Sequence, residues 1–185
     1  MTGGIEARMS NTEFGIGEYV VYGTSGVCKI ENITLTSLSS AIPPRQYYIL
    51  TQVKSASTIY VPCEGPSEKR RMRYLLSKDG IDRLLSSVKD KTMEWNSDRK
   101  ARNTLFHDIL SAGVSEEYLL MIRCIYAQKE YLESNKKKLS NTDSDILFTA
   151  QTLLEDEFSF VLGISCQEVG KYIKDSLGIG NVSLY

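Results

Sequence analysis

Histidine and tryptophan each occur once among the 185 residues, and proline only four times. His107 lies between Phe106 and Asp108 with no partner ligand or orienting carboxylate in a recognisable motif, so it reads as a structural or surface histidine. The four cysteines, Cys28, Cys63, Cys124 and Cys166, are spaced 35, 61 and 42 apart, and none forms a CxxC pair. That excludes a zinc pattern and a disulfide framework, and suits reduced small hydrophobes in a cytoplasmic protein. Long apolar runs are also missing: the first twenty residues carry Glu6, Glu13 and Glu18 and hold no signal-peptide core. With 42 % hydrophobic and 24 % charged residues, the composition excludes collagen-like, disordered and membrane-spanning chains. There is no GxGxxG, Walker loop, GxSxG or HExxH, so no enzyme, catalytic residue, cofactor or metal is expected. An excess of one charge sign is lacking too. The 22 basic and 23 acidic residues give −1, which argues against a simple basic nucleic-acid coat.

What is present divides into two halves. Residues 1–12 have no apolar periodicity and are read as a disordered leader outside the fold. From 13 to 66, β-branched and aromatic runs at 18–22, 27–35, 46–53 and 57–62 are broken by Gly15, Gly17, Gly23, Gly26, Pro43 and Pro44. Four or five short strands in so few residues predict a small, bent SH3-like or Tudor-like barrel, with 36–45 as a hairpin loop. From 67 to 185 the period becomes helical. Ser77 caps a helix carrying Ile81, Leu84, Leu85 and Val88. Ser97 is placed as the cap of a second, with Ala101, Leu105, Ile109 and Leu110 inward and Gly113 as its stop. Ser115 opens a third helix running to about Ser134. Residues 140–162 form the longest amphipathic stripe, and Ser165 with Glu168 opens a last helix ending at Gly178. The expected fold class is therefore α+β, a Tudor/SH3-like barrel followed by a compact domain of about five helices.

Segmenting the charge changes its meaning. Residues 1–66 hold 4 basic and 5 acidic side chains, 67–102 hold 11 and 6, and 103–185 hold 7 and 12. A partner within a Debye length of about 8 Å meets the local excess, not the total. The most informative stretch is KDKTMEWNSDRKAR at 89–102, where the one tryptophan, Trp95, is flanked by Lys89, Lys91, Arg99, Lys100 and Arg102. Cations converging on a helix start suit a phosphate backbone, and a planar side chain beside them could stack on an exposed base step. The same residues equally describe a core tryptophan beside a solvated basic face. The run EKRRMR, 68–73, reads as a soluble linker or a second DNA-orienting patch, and Glu157 as a carboxylate turned toward a neighbouring helix.

The stretch FGIGEYVVYGTSGVCKIENI (14–33), the later YYIL and IYVP runs, and a tryptophan followed by a basic helix resemble the CarD/CdnL family of bacterial transcription regulators. The first part also resembles the RNA-polymerase-interacting module of transcription-repair coupling factors. The resemblance covers about Phe14 to Leu162. It implies a Tudor-like domain that binds the β subunit of RNA polymerase, and a helical domain touching promoter DNA at the upstream fork of the bubble. Trp95 matches the family's minor-groove wedge and Lys100 the basic position five residues later. Asp98 and Arg99 depart from the more uniformly basic pattern. On this resemblance Trp95, Lys100, Arg99, Arg102, Lys91 and Lys89 would meet DNA, and Tyr60, Arg45 and Tyr48 the polymerase. Tyr60 stands where some members carry an arginine. A monomer, associated with the nucleoid through polymerase, is expected. Two rivals stand beside it. One is an autonomous dimeric helix-turn-helix repressor using 97–126. The other is a peptide-binding module whose groove is lined by Tyr19, Tyr22 and Tyr47.

Overall fold

The computed structural model describes residues 12–38, 43–65 and 71–177, so all but the last residue of the leader expected at 1–12, and the end of the last helix expected at Gly178, lie outside the described residues. Strands β1 (Tyr19–Tyr22), β2 (Val27–Thr36), β3 (Arg45–Gln52), β4 (Thr58–Pro62) and β5 (Met72–Tyr74) form one antiparallel sheet in the order β4-β3-β2-β1-β5. Val20, Cys28, Ile30, Tyr48, Leu50, Val61 and Met72 fill one face and pack with Phe14 and Cys63 into a single cluster. A bulge between Ile30 and Asn32 inserts one residue into β2. Pairing therefore resumes with Asn32 opposite Ile49 and Ile33 opposite Tyr48, which keeps the apolar residue on the inner face despite the odd step. β5 is the strand that the alternation pattern did not disclose: the sheet runs on to Tyr74, past the boundary expected at 66.

Five helices follow among the described residues: α1 (Lys78–Ser87), α2 (Arg99–Ala112), α3 (Ser115–Ser134), α4 (Asn141–Leu162) and α5 (Cys166–Leu177). Ser77 caps α1 by accepting from the Gly80 amide at 3.0 Å, and Ser140 caps α4 by accepting from Asp143. Ser165 and Glu168 form the reciprocal capping box at the start of α5, with bonds of 2.9 and 3.3 Å. Gly113 and Gly163 end α2 and α4 in the left-handed region, at φ 73° and 67°.

Two expectations for α2 are corrected. Its cap is Asp98, not Ser97: the Asp98 carboxylate accepts from the Lys100 and Ala101 amides at 2.8 and 3.2 Å. An anionic cap complements the positive end of the helix dipole, and it also takes two amides that a phosphate could otherwise have used. The inward stripe is Arg102, Phe106, Ile109 and Leu110, while Ala101 and Leu105 face solvent. Ile109 and Leu110 lie inward as expected, while Arg102 and Phe106 take the places expected of Ala101 and Leu105 because a buried arginine opens the stripe. α3 runs through the middle of the helical core, burying Tyr118, Leu119, Met121, Ile122, Cys124, Ile125 and Tyr126.

Arg73 of β5 joins the two halves, and is neither linker nor DNA-orienting patch. Its five N–H groups all find acceptors: Gly113 O at 2.7 Å, Tyr74 O at 3.1 Å, Ser115 Oγ at 2.8 Å, and both carboxylate oxygens of Glu157 at 2.7 Å. Glu157 accepts in addition from the Leu76 amide and the Ser115 hydroxyl, each at 3.0 Å. A bidentate pair this completely hydrogen-bonded has a defined geometry, so β5, the α2–α3 corner and α4 are held together. Lys54 with Asp156 at 3.1 Å, and the Tyr19 and Phe160 rings at 4.8 Å, add contacts along the same seam.

Candidate functional site

Residues 88–98 cross from α1 to α2 by a turn closed by the Lys91 amide on Val88 O at 3.2 Å and then an irregular stretch whose path side chains fix. Arg123 of α3 donates to Val88 O at 2.6 Å and Lys91 O at 3.1 Å, while Met93 and Trp95 lean on the helical core. Asn96 Oδ1 accepts from the Asp98 amide at 2.9 Å, an Asx turn that feeds the chain into the cap of α2.

Trp95 is half-buried. Phe106 meets its ring edge-on at 6.2 Å, and the Arg102 guanidinium lies over it, 4.1 Å from the centroid. Arg102 is itself 6 % exposed. Its Nε and Nη2 fork onto the two Asp143 oxygens, both at 3.0 Å, and Nη1 donates to Asn96 O at 2.7 Å. Ser140 Oγ donates to Asp143 at 2.5 Å. Burial pushes the Asp143 carboxyl up. Hydrogen bonds from Arg102 and Ser140, with the positive charges of Arg102 and Arg99, outweigh that and leave it below the usual carboxylate value.

The six residues expected to meet DNA are thus not equivalent. Lys89, Lys91, Arg99 and Lys100 are exposed, Trp95 is at the rim, and Arg102 is inside. Lys91 pairs with Glu116 at 2.5 Å, and Arg99 reaches Thr142 Oγ1 at 3.4 Å. Arg99 and Lys100 also line an open groove along α2 with Asn103, Thr104, His107 and Asp108, and the Asn103 Oδ1 atom there is buried without a partner. His107, read from sequence as a structural or surface histidine, is exposed and belongs to this groove. Sequence reasoning missed Asp143, Ser140 and Asn96. The Ser140-x-x-Asp143 spacing has capping-box register and could have flagged Asp143 as a functional carboxylate, though not that its partner is Arg102.

On the sheet, Arg45, Tyr47, Ile49 and Tyr60 share the outer face, since Tyr60 pairs with Ile49 and side chains alternate along β3. Tyr60 is 46 % exposed on the edge strand β4, and Arg45 is exposed with its guanidinium 6.0 Å from the Tyr47 ring. Tyr48 points the other way. It is 3 % exposed in the inner cluster, with its hydroxyl accepting from the Phe14 amide at 3.4 Å, so it supports the sheet and presents no surface to a partner. Its parity along β3, opposite to that of the exposed Arg45, turns it into the inner cluster, whereas Tyr47 is 3 % exposed although it lies on the outer face. Among the described residues no helix is long and apolar enough to cross a membrane.

A five-stranded antiparallel sheet with an exposed aromatic on its edge strand is hydrogen-bonded through Arg73 and Glu157 to a helical unit whose α2 opens with exposed cations. Residues 14–74 match the model of the CarD-like/TRCF RID domain, an RNA-polymerase-interacting domain type. The match ends at the last residue of β5 and covers about a third of the chain, leaving the helical unit outside it. No curated protein matches the chain.

Proposed function

We propose that the protein is a CarD-like transcription regulator that docks its sheet on the β subunit of RNA polymerase and sets Trp95 against promoter DNA at the upstream fork of the bubble. The observation that carries this reading is the half-buried Trp95 on the helical core, just ahead of the exposed cations Arg99 and Lys100 that open α2, on a helical unit bonded to the sheet through Arg73 and Glu157. Lys100 and Arg99 are the cations best placed to touch phosphates beside it, with Lys89 as an outer contact. The edge strand β4, with Tyr60 and Arg45 on the outer face, offers the polymerase both unpaired backbone groups and exposed side chains.

The energetics suit such a role. A handful of lysine and arginine contacts gives weak, salt-dependent affinity without sequence preference, and tethering to polymerase raises the effective concentration to about the millimolar range. A stacked indole interacts with a melted fork and not with closed duplex, and only that difference shifts the equilibrium toward the open complex. An autonomous helix-turn-helix is disfavoured because α3, which would be the recognition helix, has its residues committed to the core. A peptide groove of Tyr19, Tyr22 and Tyr47 is disfavoured because Tyr47 is buried and Tyr19 stacks on Phe160.

The test is the lifetime of open complexes formed with the full chain and with Trp95→Ala and Lys100→Glu. Both substitutions shorten the added lifetime several-fold on this reading, and unchanged lifetimes with both overturn it. A Tyr60→Ala, Arg45→Ala variant weakens capture of polymerase while leaving the fold intact.

A further inference from the structure

We infer that Arg102 and Asp143 are positioning residues for Trp95, and that Arg102 is not a phosphate contact. This rests on the reading of Trp95 as the residue that meets DNA, and it adds what holds the indole ready. Three geometric facts converge on it. Arg102 covers one face of the indole at 4.1 Å, grips the backbone of the next residue through Asn96 O at 2.7 Å, and is anchored at both Asp143 oxygens at 3.0 Å. The guanidinium is 6 % exposed and its carboxylate partner 2 %, so neither charge is presented to a polyanion. The anchor belongs to the first turn of α4, where Ser140 both caps the helix and donates to Asp143. A loop without secondary structure is thereby held by a helix distant in sequence.

The chemistry requires arginine. A planar fork satisfies two carboxylate oxygens, one carbonyl and a ring face at once, whereas an ammonium, whose three donors radiate from a single nitrogen, cannot span all of these positions. Holding the indole before DNA arrives removes the ordering cost that a mobile side chain would incur on stacking. A phosphate contact and a positioning residue also respond oppositely to Asp143. Neutralising a nearby acid strengthens a phosphate contact and loosens a clamp.

Trp95 is the only tryptophan in the chain, so its fluorescence reports the clamp directly in the full-length protein. Arg102→Lys keeps the charge and loses the fork, Asp143→Asn keeps the shape and loses the anion, and Lys100→Gln serves as the control. Far-UV circular dichroism verifies the fold of each. Positioning predicts red-shifted emission and increased acrylamide quenching for Arg102→Lys and Asp143→Asn, with wild-type emission for Lys100→Gln. With RNA polymerase holoenzyme on a linear promoter duplex, it also predicts that Arg102→Lys and Asp143→Asn lose most of the open-complex lifetime lost by Trp95→Ala. Unchanged emission and quenching in both variants, or a longer lifetime with Asp143→Asn, overturns the inference. Should a single variant fail to fold, the double variant Arg102→Met with Asp143→Met leaves no unpaired buried charge and must show the same shift. If Trp95→Ala leaves lifetimes unchanged while Arg102→Lys shifts the emission, the proposed DNA role fails and the positioning of the indole stands.

Discussion

At the scale of single residues, burial decides which polar groups are chemically active. Burial pushes the Cys28 and Cys63 thiols to about 11, and raises Cys124 for the same reason, while Cys166 is exposed at the start of α5. Ellman's reagent at neutral pH is therefore expected to titrate one thiol rapidly in the native protein and the remaining three only after unfolding. Asp143 supplies a pH-dependent counterpart. Its folded pKa lies below its ordinary value of 3.8. Its ionic contribution to stability is therefore complete above that value and is lost as pH falls through the folded one. Urea midpoints measured from pH 6 down to 3 should stay level until about pH 4 and then fall. In Asp143→Asn the baseline is lower and the acid limb shallower. Little of this could be read from sequence. The position of Arg102 in the core violates the expectation that arginine lies outside, and only the partner carboxylate, 41 positions along the chain, makes it tolerable.

At the scale of elements, the sequence was most informative where local rules act. Ser77, the Ser165–Glu168 box and Gly113 marked helix ends because capping involves atoms within a few residues. β1 to β4 were visible for a similar reason, through alternation and turn residues. β5 was not, since Met72–Tyr74 is three residues long, emerges from a run of charge, and is a strand only because β1 offers it an edge. α2 shows the boundary between the two cases. Ser97 and Asp98 are both good caps by composition, and the choice falls to the one whose carboxylate reaches two amides. Asp98→Ala is expected to cost about 1 kcal/mol, a drop of roughly 2–4 °C in Tm for a chain of this size. Ser97→Ala should leave Tm within a degree or so of wild type, since substitutions away from such features stay within about 0.5 kcal/mol. Calorimetry of the two variants distinguishes the caps.

At the scale of the whole molecule, the proposed reading of DNA relative to polymerase requires a fixed offset between the two contact surfaces. Arg73 and Glu157 supply it by linking β5, the α2–α3 corner and α4 through a closed set of hydrogen bonds. Removing Arg73 alone leaves a carboxylate that is 1 % exposed without its cation, a defect of about 3–5 kcal/mol. Replacing both members with apolar residues of similar volume removes the unpaired charge, so Arg73→Met with Glu157→Met should recover much of that loss in a double-mutant cycle. Stability and function then separate. The double variant keeps Tyr60 and Arg45 on the sheet and Trp95 on its clamp, yet lacks the directional bonds that set one half against the other. It should capture polymerase as well as the wild type while its effect on open-complex lifetime drops several-fold. Wild-type lifetimes in the double variant would mean that the apolar seam alone fixes the offset, and that the ion pair contributes stability without positioning.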